Sequence, residues 1–362
     1  MNQILACLLA LVIGSGAARA EQETPLPPIE PVLESMLVDY IRPGYAAFRI
    51  AASDLEASTA ALCRDPSAAT LESARSAFRV TVVYWGRMEW LRLGPVMDEN
   101  RLERILFFPD RKGTGRRQVQ AAIASSDEKV TEVSSLSGQS VAMQGLGALE
   151  FILFGSGSNA LAGPDASHRC AFAKAASTNL VNLSGEIIDG WRDGSGLVTA
   201  FLKPGPDNPL FRTDQEAANL LLGQMLHGIE AILDIRIKAF FDKKNSDDDR
   251  PKSALFWRSE MTLPSIRADL EGLEAMFNKS GIEVVAEDLQ PRIGATMRFE
   301  FEQAVHTARS LEVPVDAILS DPASREKLLY LDYTIRTVSR RLGRGFAQAR
   351  GLPGGFFFGD GD

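Results

Sequence analysis

The feature that most constrains this chain is a single carboxylate inside an apolar run. Residues 140–155 read SVAMQGLGALEFILFG, and Glu150 is the one charged residue among them. A run this apolar is buried whichever face of a helix it forms, so Glu150 must lie close to a core. Because leaving a buried charge alone is costly, we expect Glu150 to be protonated, paired or bound to a metal. It is the first candidate functional residue.

Composition narrows the fold class and the partners. The chain has 362 residues, 45% of them hydrophobic, which is enough for one large core or two ordinary ones. A formal net charge of −8 with no sustained basic tract argues against a nucleic-acid partner. Long Ala- and Leu-rich stretches with helical rather than alternating spacing predict an all-α protein.

The N-terminus has the pattern of a secretory signal peptide over residues 1–20. An apolar region from Ile4 to Ile13 precedes Ala18-Arg19-Ala20, an A-x-A cleavage site after Ala20. The apolar region is too short for a membrane anchor, and the mature chain has no apolar span of transmembrane length. We therefore predict export to the periplasm. A lipid anchor at Cys7 is the alternative, but only six residues precede that cysteine.

Two stretches resemble each other and suggest an internal repeat. The run LLLGQMLHGIEAILDIR is a weak echo of the apolar run around Glu150, with Glu230 at the position of Glu150 and His227 at that of Gly147. This predicts two helical bundles, residues 21–195 and 196–362. His227 and Glu230, three residues apart on one helix face, are candidate metal ligands together with Glu150. The alternative is a histidine at the edge of the core, hydrogen-bonded to Glu230.

Basic residues offer two further candidates. Arg111, Lys112, Arg116 and Arg117 make the connection after Pro109 locally basic, which is compatible with a phosphate or carboxylate site or with a solvated loop. Arg258 is the first candidate for a charge partner of Glu150 across the junction of the two bundles. An ordinary surface role is the alternative for Arg258, and a surface pair of Glu89 with Arg92 is also compatible with their spacing.

Several motifs together resemble one family. The imelysin-like family of bacterial envelope proteins carries G-x-H-x-x-E before an apolar run, and here Gly145 and Glu150 match while Gly147 replaces the histidine. The same resemblance extends to Arg169-Cys170, to Trp257-Arg258-Ser259 and to the Gly- and Asp-rich tail. It implies an all-α fold of two helical bundles with a site near their junction.

The resemblance also implies a function. It points to a periplasmic binding protein linked to iron or other metal acquisition, whose partners would be a metal ion or iron-uptake components of the envelope. The alternative is a metal-dependent peptidase, as the family name suggests. The chain has three histidines, no H-E-x-x-H motif, and Gly147 at the histidine position, so we favour binding over catalysis.

Two cysteines remain after the predicted cleavage, Cys63 and Cys170. An even count in an exported protein is compatible with a disulfide or with two buried thiols. Family members resemble this chain at both positions, which favours the disulfide.

Overall fold

The fold is built entirely from helices in the part of the chain that the structure describes. This computed structural model describes residues 27–285 and 292–343. That part of the chain contains α-helices, short 3-10 turns and π-helical segments but no strand. The predicted signal peptide, residues 286–291 and the tail beyond residue 343 lie outside the described residues. The all-α prediction is confirmed. The α-helices, in chain order, are α1 (Glu30–Ser35), α2 (Arg42–Arg64), α3 (Ala68–Glu89), α4 (Arg101–Ile105), α5 (Thr114–Ser125), α6 (Val133–Leu136), α7 (Leu146–Phe154), α8 (Ser167–Gly190), α9 (Gly196–Leu202), α10 (Asp214–Glu230), α11 (Thr262–Ser280), α12 (Ile293–Arg309), α13 (Val315–Ser320) and α14 (Pro322–Arg340).

In the first half, α2 packs against both α3 and α8. A π-helical segment, Met36–Ile41, joins α1 to α2 just before Pro43. Proline has no backbone N–H to donate, which accounts for irregular helix at this point. The disulfide Cys63–Cys170 links the end of α2 to the start of α8, with 5.5 Å between the Cα atoms, and confirms the predicted pairing.

In the second half, α11 packs against α12, and α12 against α14. Thr213 caps the start of α10, because its hydroxyl oxygen accepts a hydrogen bond from the Glu216 N–H at 3.1 Å. It continues as a π-helical segment, Ala231–Ile237. No helix within the described ranges is long and apolar enough to cross a bilayer.

The two halves meet through α3 and α11, which pack against each other. Buried apolar side chains from both halves form one continuous core. This contact brings residues far apart in the sequence to a common junction, and both buried carboxylate clusters described below lie across it. The boundary at residue 195 and the internal repeat stay predictions.

Candidate functional site

Glu150 lies on α7, a helix that is apolar on nearly every side. Seven of its nine residues are buried, and it packs against α3, α5 and α8. A short helix without an amphipathic pattern gains little from its own propensity, so its position depends on the surrounding structure. Both of its ends are fixed by specific contacts.

The N-terminal end of α7 requires a glycine. A Cβ on Gly145 would overlap the backbone carbonyl oxygens of Arg104 and Ile105. The glycine of the motif therefore permits close approach of two backbone segments. It positions Glu150 without taking part in its chemistry.

Two arginines hold the C-terminal end of α7. The last carbonyls of a helix have no intrahelical partner. Arg169 donates hydrogen bonds to the carbonyl oxygens of Phe151 at 2.8 Å and Ile152 at 2.9 Å, and Arg75 donates to that of Leu153 at 2.9 Å. Burial lowers the pKa of Arg169 to about 10, so the guanidinium remains charged at neutral pH.

The Glu150 carboxylate is buried, and one of its two oxygens accepts three hydrogen bonds. Its Oε1 accepts hydrogen bonds from the Arg258 N–H at 3.1 Å, the Ser259 N–H at 3.1 Å and the Ser259 hydroxyl at 3.0 Å. Its Oε2 lies 3.9 Å from Arg258 Nη1. Burial raises the pKa of Glu150, while the charge of Arg258 and the Ser259 donors oppose that rise. The carboxylate thus joins α7 to the Trp257-Arg258-Ser259 segment of the second half.

That segment has unusual backbone geometry. Phe256 and Glu260, on either side of it, both have φ near +60°, a left-handed conformation that bulky side chains rarely adopt. The Met261 N–H donates to the Phe256 carbonyl oxygen at 3.0 Å and closes the turn. Such strain persists only where the surrounding structure enforces it. Here the turn directs two backbone N–H groups at Glu150.

Gly147, at the position of the family histidine, faces open space. It is exposed, and apart from its own helix backbone and chain neighbours no described residue has an atom within 4 Å of a Cβ built on it. Gly147 and Glu150 are three residues apart and share one face of α7. Since Gly147 supplies no ligand, Glu150 Oε1 already accepts three hydrogen bonds and Arg258 adds positive charge, these residues do not fit a metal ion at Glu150.

The predicted ligand set of Glu150, His227 and Glu230 is not brought together. Across residues 27–285 and 292–343, no group of three or more His, Cys, Asp or Glu side chains is placed to hold a metal. Glu230 is buried on α10, and His227 is half-buried beside a surface groove that Glu216 and Gln224 also line. Whether His227 and Glu230 bind a metal as a pair stays a prediction.

A second buried charge cluster was missed by the sequence analysis. Arg236 is 4% exposed and donates hydrogen bonds to Glu89 at 3.2 Å and to Asp269 at 3.1 Å, and it also donates to Ser265. Glu89 therefore pairs with Arg236 from the other half of the chain, and not with Arg92, which lies beyond the end of α3. Burial and the charge of Glu89 raise the pKa of Asp269, and Arg236 opposes the rise.

A small cavity adjoins this cluster. It has a volume of about 30 Å³, enough for a water molecule, and Trp90 and Phe108 line it together with Glu89, Arg236 and Asp269. The Asp269 Oδ1 atom is buried and accepts no hydrogen bond within the described residues. The sequence carried only a weak signal, because Arg236 lies between two isoleucines but beside other charged residues, and Asp269 lies between apolar residues at helical spacing.

Comparisons with known proteins agree with this architecture. The family model described as Imelysin (Peptidase_M75) matches residues 41–342. The crystal structure of an imelysin-like protein from Psychrobacter arcticum 273-4 has a TM-score of 0.73 and 17% identity, covering 92% of this chain and 100% of that one.

A candidate iron-regulated protein A precursor from Parabacteroides distasonis ATCC 8503 gives a TM-score of 0.71 at 15% identity, covering 89% of this chain and 96% of that one. No curated protein matches the chain. At these identities the two crystal structures show a shared fold, whereas the family model spans most of the sequence. The chain belongs to the imelysin family.

Proposed function

We propose that this protein is an exported binding protein of the imelysin family, linked to the acquisition of iron or another metal, and that it has no peptidase activity. The observation that carries the proposal is the engagement of Glu150, whose Oε1 accepts three hydrogen bonds from Arg258 and Ser259. In this chain the motif glutamate holds two halves of the molecule together.

Peptide hydrolysis at a zinc ion needs about three protein ligands, an open coordination position and a general base. Gly147 supplies no ligand where the family has a histidine. A carboxylate already bonded to two backbone N–H groups and a hydroxyl is poorly placed to activate water. These features favour binding over catalysis.

Support for export and for a metal comes from two other sources. The sequence predicts a signal peptide over residues 1–20, and the Parabacteroides distasonis neighbour is named as an iron-regulated precursor. Envelope components of iron uptake are the partners that this function implies. The periplasm is the compartment that the predicted signal peptide implies.

The test combines a peptidase assay with metal measurements on purified mature protein. Wild type, Glu150→Ala and His227→Ala are compared for metal content by elemental analysis, for metal affinity by calorimetry, and for cleavage of a denatured protein substrate. We expect the wild type to take up iron or another metal, free or as a complex, without cleaving the substrate. Metal-dependent cleavage that Glu150→Ala abolishes would establish the alternative, a peptidase. Failure of the wild type to take up any metal species would exclude the link to metal acquisition.

A further inference from the structure

The guanidinium of Arg258 is held in position by aromatic rings, but no described residue accepts a hydrogen bond from it. It stacks on the ring of Trp257, 4.4 Å from the centroid, and lies 5.5 Å from that of Phe151. Its nearest carboxylate oxygen, on Glu150, is 3.9 Å away, which is beyond hydrogen-bond distance. Within the described ranges its side chain donates no hydrogen bond to a protein atom, although only 18% of it is exposed. Its N–H donors are therefore not used by any acceptor among the described residues, and its exposed part can donate to a ligand.

Open space lies on the same face of α7. Arg258 contacts both Glu150 and Phe151, which follow Gly147 by three and four residues and therefore share its face. The space beside Gly147 is thus one helical turn from the residues that Arg258 contacts, and no other described segment has an atom within 4 Å of a Cβ placed there. Replacement of the family histidine by glycine leaves this volume free for a ligand.

A second arginine adds positive charge to this face. Helix α5, which carries Arg116 near its start, packs against α7, and the charge of Arg116 lowers the pKa of Arg258. The Arg116 side chain is exposed, and it forms no ion pair in the part of the chain that the structure describes. The nearby Asp110 carboxylate accepts hydrogen bonds from the backbone N–H groups of Thr114 and Arg116, so it holds the start of α5 in place. The Glu150 carboxyl group lies beside Arg258, and burial disfavours its charged form by raising its pKa.

We propose that the face formed by Gly147, Arg116 and Arg258 binds an anion bearing carboxylate groups. The planar guanidinium fork matches a carboxylate in a bidentate geometry, and two arginines suit a di- or tricarboxylate. This inference rests on the proposed function, because it names the ligand class of the same site. Two guanidinium groups repel a bare cation, so a metal bound on this face would arrive as an anionic carboxylate chelate.

The test measures binding of two probes, citrate alone and preformed iron(III) citrate, by calorimetry at low ionic strength. The variants are Arg258→Gln, Arg116→Gln and Gly147→Leu, with Arg117→Gln as the matched control. Arg117 is an exposed arginine of the same helix whose side chain bonds to the Lys112 carbonyl oxygen and to Thr114. Arg117→Gln removes one positive charge from the same basic region, but the Arg117 guanidinium is already hydrogen-bonded within the protein, unlike that of Arg258.

We expect binding of at least one probe by the wild type, weakened about tenfold or more by Arg258→Gln and Arg116→Gln and within about twofold of wild type in Arg117→Gln. Gly147→Leu, whose side chain fills the open space, is expected to abolish binding of the probe. Binding of citrate alone would identify a free carboxylate ligand, and binding of the iron complex alone a chelate. Because Arg116 is exposed, Arg116→Gln tests the proposal even if Arg258→Gln folds poorly.

No binding of either probe by the wild type would overturn the inference, as would an equal loss in Arg117→Gln. This failure is distinguishable from failure of the proposed function. Uptake of bare metal ions without citrate binding would overturn the anion site alone, whereas substrate cleavage by a wild type that binds citrate would overturn the non-peptidase assignment alone.

Discussion

Glu150 and Asp269 are both buried carboxylates at the junction of the two halves, and each lies beside an arginine. Arg236 is buried and bonds directly to Asp269 and Glu89, so its donors are used within the protein. Arg258 is partly exposed, stacks on aromatic rings and leaves Glu150 to be satisfied by the backbone and by Ser259. The Arg236 cluster therefore has the character of a structural cross-link, whereas the Glu150 cluster keeps an arginine available for a ligand.

The largest expected difference between the clusters is the cost of removing each arginine. Arg236→Leu leaves Asp269 and Glu89 without their partner, and breaking such a buried pair costs about 3–5 kcal/mol of the free energy of unfolding. Arg258→Leu is expected to cost less than about 1 kcal/mol, because Glu150 keeps its three hydrogen bonds. Urea denaturation of both variants beside wild type measures the two costs. An equal loss of stability in the two variants would contradict the structural role assigned to Arg236 and the absence of one for Arg258.

The second largest expected difference in stability is between substitutions at Gly145 and Gly147, which lie on either side of the first residue of α7. Gly145→Ala places a Cβ against backbone oxygens and is expected to lower the free energy of unfolding by about 2–3 kcal/mol. Gly147→Ala adds a methyl group in open space, where alanine favours helix, and is expected to be neutral or to stabilise by about 0.5 kcal/mol. The same urea titrations measure both. A loss of stability in Gly147→Ala would show that the space is not free.

The pH dependence of stability distinguishes the two carboxylates. Burial raises the pKa of both in the folded state, so folding disfavours their charged forms. Their contribution to stability is therefore fully present below the ordinary carboxyl pKa and is lost as pH rises through the raised folded values. Glu150→Gln and Asp269→Asn are each expected to reduce this fall in the free energy of unfolding, because the amide side chain does not titrate.

The larger change is expected in Asp269→Asn, because the pKa of Asp269 is raised well above its ordinary value. Urea unfolding from pH 4 upward measures how the free energy of unfolding changes with pH in wild type and both variants. If this pH dependence is the same in Asp269→Asn as in wild type, the Asp269 carboxylate remains ionised beside Arg236. If the free energy of unfolding fell more steeply with pH in Glu150→Gln than in wild type, the pKa of Glu150 would not be raised by folding.

The smallest expected effect concerns a single hydroxyl. Ser259→Ala removes one of three donors to Glu150 Oε1 and is expected to cost about 1 kcal/mol, because two backbone N–H groups remain. Differential scanning calorimetry at neutral pH would detect the change. Ser265→Ala in the other cluster is the matched control, since it also removes one hydroxyl partner of a buried charge. A cost of several kcal/mol for Ser259→Ala would show that the turn itself depends on this hydroxyl.

Sequence reasoning found one cluster and missed the other for a physical reason. Glu150 stands in a run so apolar that its burial is evident in every helical register. Asp269 and Arg236 lie in amphipathic or mixed helices, where a charged residue is normally solvated. The predicted pairing of Glu89 with Arg92 also rested on neighbours within one helix, and a partner 147 residues away could not be read from spacing.

The sequence by itself determined the helical class, the burial of Glu150, the loss of the family histidine at Gly147 and the family to which the chain belongs. These properties depend on local periodicity and residue identity. Only the tertiary structure decided which donors satisfy Glu150 and which arginine is used within the protein. Hydrogen bonds and ion pairs between distant segments depend on ångström-scale geometry, which helix packing sets and periodicity does not encode.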